Sequence, residues 1–545
     1  MRAAALALVL TVSLADAEVV QVHGLAPAEL AELQQDLDFW GLDPATGAAV
    51  FDVAPADRSA LEARGLDVRS DDRRQRELDH WRARAPTRTR ADAPDTIPGY
   101  PCYRTVARTQ ADLAALADAH PGRAEWVELG PTWQAQAGEA AGDAIHALRL
   151  ANAASPHPKP PLVVLAAQHA RELATAEIAT RFAELLIDNP GDDSDVEWLL
   201  DHRSVHVIAQ ANPDGRRQVE QGTSLWRKNH NATACGDGTW PGVDLNRNGR
   251  FLWQSDADTC SQLYPGPALA SEPETRAVQN YLATVFDAQR PATDLVTPAP
   301  DTAEGVFVSL HSFGEYVLIP WEGLGGQNEN NAPNHDGLML LGRRFGDRTG
   351  YAVGRWSLLP PAEGTAVDYA YGEFGVAAYT FEVGTDFLQS CESFEATIWP
   401  SIRDALLLAA RAARRPYLQP RGPAIAGLSA FVDDGRWVIA GSADDGRYSD
   451  GGIDEPPQPT PVGAVVEIRL AAGVPPPLAE EVLSFPVDEP ATTVPFEIDW
   501  PVGTPLPTNR RVFVTAVDDS GLAGLPRMLR LGDLIHGNGF EAIAQ

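Results

Sequence analysis

Apolar and polar positions divide the chain into segments of different texture. Residues 3–15 are almost wholly apolar or small. Arg2 precedes them, and the small-x-small triplet Ala15-Asp16-Ala17 follows. This predicts a secretory signal peptide over 1–17, because the apolar run is too short to cross a bilayer. Residues 18–72 read as a small α/β unit. EVVQVHG and GAAVFDV are strand-like, APAELAELQQDL has helical spacing, and ADRSALEARG is a helix ending at Gly. Residues 73–95 are polar and end in Pro, Thr and Asp, as an exposed linker does. From 96 to 417, AEWVELG, AIHALRL, PLVVLAA, SVHVIAQ, VFVSLHS and AAYTFEV are apolar runs of strand length. Helical stretches such as LATAEIATRFAELLI and SIRDALLLAARAAR separate some of them. The pattern predicts an α/β domain with a largely buried sheet, where function collects at strand ends. From 418 to 545, short alternating strands (WVIAGSA, AVVEIRLAAG, PFEIDWP, RRVFVTAVDD) sit between Pro-rich connectors. That texture predicts an immunoglobulin-like β-sandwich without a catalytic cluster. The tail LGDLIHGNGFEAIAQ stays unassigned, and no internal repeat is visible.

Charge narrows the choice of partner. The chain has 43 Lys and Arg against 75 Asp and Glu, a net charge of −32. This argues against nucleic acid and anionic membrane surfaces, and fits solubility outside the cell. No other apolar run is long enough to span a membrane. Seven arginines nevertheless fall between residues 73 and 90. The linker reads equally as a site for a trypsin-like protease or as a solvated charged connector. The four cysteines, Cys102, Cys235, Cys260 and Cys391, are an even, low count that suits two disulfides in an exported protein. Three connectivities are open. Cys235 and Cys260 bracket a Gly/Asp/Asn-rich loop, whose closure is worth about 3 kcal/mol on the chain-entropy model. No C-x-x-C spacing supports a zinc cluster.

The candidate chemistry begins at AAQHARELATAE, where His169 and Glu172 follow an apolar strand and open a helix. Alone, the pair is undecidable. A catalytic zinc site uses three protein ligands, so a third must exist. The best candidate is His311, at the end of VFVSLHS, although a lone histidine there is more often simply satisfied by its surroundings. Glu382 lies in AAYTFEV among apolar and small residues, a costly place for a carboxylate without a partner or a function. The stretches NPDGRRQVEQGTSLWRKN and CGDGTWPGVDLNRN complete the set.

The ordered motifs H-x-x-E, N-P-D-G, W-R-K, V-D-x-N-R-N, S-x-H-S and T-F-E resemble those of the zinc metallocarboxypeptidase family of the carboxypeptidase A/B/T type, over residues 98–415 and in a secreted, bacterial-like form. The resemblance implies a mixed, eight-stranded-type sheet flanked by helices. A small N-terminal α/β pro-like unit precedes it and a C-terminal all-β sandwich follows. The expected segments are a signal peptide (1–17), a pro-like unit (18–72), an Arg-rich linker (73–95), a catalytic domain (96–417) and a β-sandwich accessory domain (418–545). It implies one Zn2+ per chain held by His169, Glu172 and His311. Asp244 would orient His169. Glu382 would be the general base that assists attack of zinc-bound water and passes the proton to the leaving amine. Arg227 would stabilise the oxyanion. Asn246 and Arg247 would hold the substrate's terminal carboxylate, and Arg171 would touch the substrate further upstream. Cys235–Cys260 falls where the family has a disulfide, leaving Cys102 and Cys391 as the second pair.

One departure stands out. The family carries a Tyr on a mobile loop shortly before a Gly-[Ser/Thr] pair. In RWSLLPPAEGTAVDYAYGEFG, Leu359 takes that place and the next Tyr is Tyr369. Weaker or altered substrate binding is expected, not lost chemistry. The specificity position falls at or near Val367, which hints at an apolar C-terminal residue. The expectation is therefore a secreted or periplasmic zinc carboxypeptidase acting as a monomer on peptides or proteins with a free C-terminus, with no nucleic acid partner and no membrane span. Two alternatives remain open: an amidase of peptidoglycan stem peptides with the same fold, and a non-catalytic binding protein.

Overall fold

The computed structural model describes residues 17–84, 95–188, 194–222, 225–236, 240–255, 257–292, 294–324, 331–355, 361–453, 462–476, 478–502 and 504–532. The signal peptide expected over 1–17 lies outside them, save Ala17, as do Leu359 and the end of the tail.

The N-terminal unit pairs four strands, β1 (Glu18–His23), β2 (Asp38–Leu42), β3 (Ala49–Val53) and β4 (Asp67–Ser70), in the order β2-β3-β1-β4. Helices α1 (Pro27–Asp36) and α2 (Pro55–Ala63) complete it. Leu30, Leu33 and Leu61 join Val20, Val22 and Phe51 in a core of its own. The linker expected from residue 73 is corrected in its first half. Asp72–Arg84 forms a helix, α3, with Leu78 and Trp81 buried in the core of the larger domain. These two residues stand three positions apart and so share a helix face.

The central layer is an eight-stranded mixed sheet. After the short pair β5 (Thr96–Ile97) and β6 (Tyr100–Arg104) come β7 (Ala124–Pro131), β8 (Ala144–Leu150), β9 (Pro161–Leu165), β10 (Ser204–Ile208), β11 (Val306–His311), β12 (Tyr316–Leu318), β13 (Ala352–Gly354) and β14 (Ala377–Glu382). Their spatial order is β13-β12-β14-β11-β9-β10-β8-β7. The strands β14, β11, β9 and β10 are mutually parallel. They are buried along their lengths, which explains their near-continuous Val, Leu, Phe and Ala runs. In such sheets the carboxyl ends of the parallel strands open onto the ligand site. Here those ends carry His311 and Glu382, with His169 just beyond β9.

Among the described residues the C-terminal unit has seven strands: β15 (Ala424–Asp433), β16 (Arg436–Asp444), β17 (Val465–Ala472), β18 (Val482–Ala491), β19 (Thr493–Asp499), β20 (Arg511–Asp518) and β21 (Arg527–Arg530). They form two antiparallel sheets, β15-β16-β19 and β18-β17-β20-β21. Ile439, Ile468, Val512 and Val514 lie in the core of this unit. Phe513 faces the other way and meets Trp198 of the central domain edge-on at 5.4 Å. Disulfides join Cys102 to Cys391 and Cys235 to Cys260.

Candidate metal centre and active site

His169 sits in the turn between β9 and the helix Leu173–Asp188. Buried hydrogen bonds fix that turn. The Thr175 hydroxyl accepts from the Ala167 N–H and donates to the Glu172 carbonyl. The Arg216 guanidinium donates to the carbonyls of Ala170, Glu172 and Leu173. Asn212, at the head of the N-P-D-G motif, donates to the carbonyls of Gln168 and Lys228 and accepts from the Gly215 N–H. One asparagine thus ties the His169 turn to the loop that carries Arg227. Ala167 takes φ 54°, a left-handed conformation unusual for a residue with a side chain.

His169, Glu172 and His311 converge, with one ligand atom from each lying within 4.8 Å of the others. His169 Nδ1 is 2.7 Å from Glu172 Oε1 and 3.1 Å from His311 Nδ1. The opposite ring nitrogens are held from outside. His169 Nε2 lies 3.1 Å from Asp244 Oδ1, and His311 Nε2 lies 3.0 Å from Ser309 Oγ. Both imidazoles therefore turn the same nitrogen, Nδ1, to the centre. Glu172 Oε2 lies 3.2 Å from His311 Nδ1, so the carboxylate reaches both imidazoles. Two imidazoles and a buried carboxylate whose ligand atoms converge, with orienting partners behind each ring, fit a zinc ion. Electrostatics agree. Burial, reinforced by Arg227, holds the His169 imidazole below its usual range, in the neutral form a metal requires. Burial opposes ionisation of Glu172, but the two histidines outweigh it and hold the carboxyl low.

Glu382, Arg227, Asn246 and Arg247 line the same cavity as the three ligands. Burial, with Glu172 and Glu322 adding to it, raises Glu382 to about 8 in the absence of any cation at the centre. Arg227 donates from Nε and Nη2 to Asp244 Oδ2 at 3.2 and 2.8 Å. Asp244 thus positions both Arg227 and His169. Asn246 accepts from the Ala366 N–H through its side-chain oxygen, and Arg247 Nη1 donates to the Asn246 carbonyl.

Two expected substrate residues stand apart. Val367 is buried in the core and does not line the cavity. Arg171 is also buried, and is engaged by the N-terminal unit. Its Nη1 donates to Asp38 Oδ1 at 2.8 Å and its Nη2 to the Phe39 carbonyl at 3.0 Å. Phe39, Trp40, Gly41 and Leu42 line the cavity beside the catalytic candidates. A Cβ at Gly41 would lie 3.3 Å from the Phe313 carbonyl oxygen, so the strand runs close against the site. The sequence placed Ser309 in the S-x-H-S motif without a role and did not single out Glu322. Ser309 stands two residues before His311 and hence on the same strand face, a signal that was available.

A family model described as zinc carboxypeptidase matches residues 109–400, more than half the chain. A zinc carboxypeptidase of Simulium vittatum is 25% identical over 294 residues, covering 52% of this chain and 85% of that protein. Zinc carboxypeptidase A 1 of Drosophila melanogaster is 26% identical over 293 residues, covering 52% of this chain and 61% of that protein. Among solved structures, the carboxypeptidase A of Helicoverpa armigera superposes with a TM-score of 0.57 at 23% identity, covering 73% of this chain and 98% of that one, which is a likeness of fold. Matched by that family model over residues 109–400, the chain belongs to the zinc carboxypeptidase family.

Proposed function

We propose that this chain is a secreted, zinc-dependent carboxypeptidase that removes the C-terminal residue of peptides and proteins. The observation that carries the reading is the meeting, in one cavity, of His169, Glu172 and His311 with Glu382, Arg227, Asn246 and Arg247. A bound zinc ion supplies a Lewis acid and lowers the pKa of a water molecule to near 7. His169, Glu172 and His311 would hold it. Asn246 and Arg247 grip the free carboxylate of the substrate, and the planar guanidinium suits that group. This grip makes the last peptide bond the one that reaches the centre. Glu382 takes a proton from water and delivers it to the leaving amine. Arg227 faces the charge that develops on the carbonyl oxygen, and its contact with Asp244 fixes its direction. No helix among the described residues is long and apolar enough to cross a membrane. The two disulfides and the leader-like N-terminus support export.

The N-terminal unit supports a latent form. Residues 39–42 occupy one wall of the cleft, and Asp38 holds Arg171, the residue assigned to the upstream substrate backbone. Release of C-terminal residues from a peptide library, with and without zinc, tests the proposed activity. Trimming that ignores zinc would contradict it.

A further inference from the structure

We propose that Glu322 reads the last side chain of the substrate and selects a cationic one, lysine or arginine. This deepens the carboxypeptidase reading and rests on it. Glu322 follows β12 and lines the same cavity as the metal-ligand candidates and the Asn246/Arg247 clamp. Its Oε1 accepts from the Thr380 hydroxyl at 2.6 Å. Thr380 lies two residues before Glu382 on β14, so both point to the same sheet face. Thr380, which holds the Glu322 carboxylate, thus stands about 7 Å along the strand from Glu382, two residues at roughly 3.3 Å each. With the terminal carboxylate at Asn246 and Arg247 and the scissile carbonyl at the metal centre, the last side chain faces the remaining wall. Glu322, Thr380 and the small Ala362 contribute to that wall.

The charge on this wall is unmatched. Glu322 is 3% exposed, and among the described residues it forms no ion pair with a lysine or arginine. The fields of His311 and Arg247 reach it without direct pairing. Asp368, behind it, is occupied by the backbone N–H groups of Glu322 and Gly323. Burial pushes the Glu322 carboxyl up, and the Thr380 and Thr365 hydroxyls only partly offset this. A buried carboxylate held by neutral donors is costly unless a cation joins it. An ammonium or guanidinium on a flexible stem supplies that cation. A leucine or phenylalanine would bury the carboxylate further without a partner, and a glutamate would meet like charge. The net charge of −32 also draws cationic peptides toward the protein. This assignment departs from the apolar preference expected from Val367, which is buried away from the cavity.

The test uses the zinc-loaded full chain, nicked with trypsin, and peptides of one sequence ending in Arg, Lys, Leu, Phe or Glu. The expected kcat/KM for Arg and Lys exceeds that for Leu at least tenfold, and Glu322→Gln cuts the Arg-to-Leu ratio at least tenfold. Gln keeps the hydrogen bond with Thr380, and the thermal midpoint reports whether the variant folds. A second arm measures calorimetric binding of the Arg and Leu peptides to Glu382→Gln and to Glu382→Gln/Glu322→Gln. A preference for Leu or Phe, equal binding of the two peptides, or a ratio unmoved by Glu322→Gln overturns the proposal. Tight, Glu322-dependent binding of the Arg peptide without cleavage by the wild type supports the assignment of Glu322 and defeats the carboxypeptidase reading instead.

Discussion

His311 and Glu382 are register partners at the carboxyl ends of two adjacent parallel strands, β11 and β14. A metal-ligand candidate and a proton-carrier candidate are thereby placed side by side by backbone pairing alone. Their separation does not depend on a flexible loop. A one-residue slip of β14 would turn Glu382 to the opposite face of the sheet. The buried Val, Phe and Ala residues of both strands hold the register.

Asp244 contacts His169 with one oxygen and Arg227 with the other. Asp244→Asn weakens both contacts. Zinc affinity, measured by chelator competition, is expected to fall about 10–100-fold. Activity should fall even at saturating zinc, because Arg227 loses its charged anchor. Unchanged zinc affinity would show that Asp244 does not orient His169.

Arg74 on α3 latches the N-terminal unit. Fully enclosed, it pairs with Asp71 at 2.5 Å and Asp43 at 2.8 Å, and donates to the Thr385 carbonyl at 2.9 Å. Its guanidinium also lies 4.9 Å from the centre of the Phe313 ring. Arg74→Ala leaves buried carboxylates unpaired, a loss of about 3–5 kcal/mol. The unprocessed full chain should then trim peptides faster than the unprocessed wild type. Equal rates before trypsin treatment would mean that the unit does not restrain the site through this residue.

His202 sets an acid limit on stability. Burial pushes it down to about 3, with His157 and Arg203 adding to the effect. The His157 ring stacks on it at 4.4 Å. In the unfolded chain His202 binds a proton below about pH 6.5. The folded chain resists that proton until pH falls to about 3. Stability therefore drops as pH falls through this window, by up to about 1.4 kcal/mol per pH unit from this one group. His202→Gln removes the contribution, so the thermal midpoint of the wild type should decline more steeply than that of the variant between pH 6.5 and 4. Parallel curves would contradict the assignment.

The six apolar strands and the six ordered motifs were legible because each signal is local and dense. The short strands β12 and β13 were not, since three residues carry no periodicity. Nor were β15 and β18, whose largely exposed, polar-interrupted residues do not read as core. The helix α3 was hidden by its arginines. Its average polarity conceals that Leu78, Trp81 and Arg74 all turn inward, a tertiary fact. Glu322 had one sequence signal, a lone carboxylate after the apolar run YVLIPW. Its meaning depends on Thr380, which approaches it only across the paired strands.

Mass spectrometry of one defined peptide incubated with the zinc-loaded, trypsin-nicked chain and with its Glu382→Gln variant tests the central claim most directly. The wild type is expected to shorten the peptide one residue at a time from the C-terminus and to stop when a chelator is added. The variant should hold one zinc per chain and lose about 10²–10⁴-fold in rate. Near wild-type turnover by Glu382→Gln, or cleavage inside the peptide, would contradict the account.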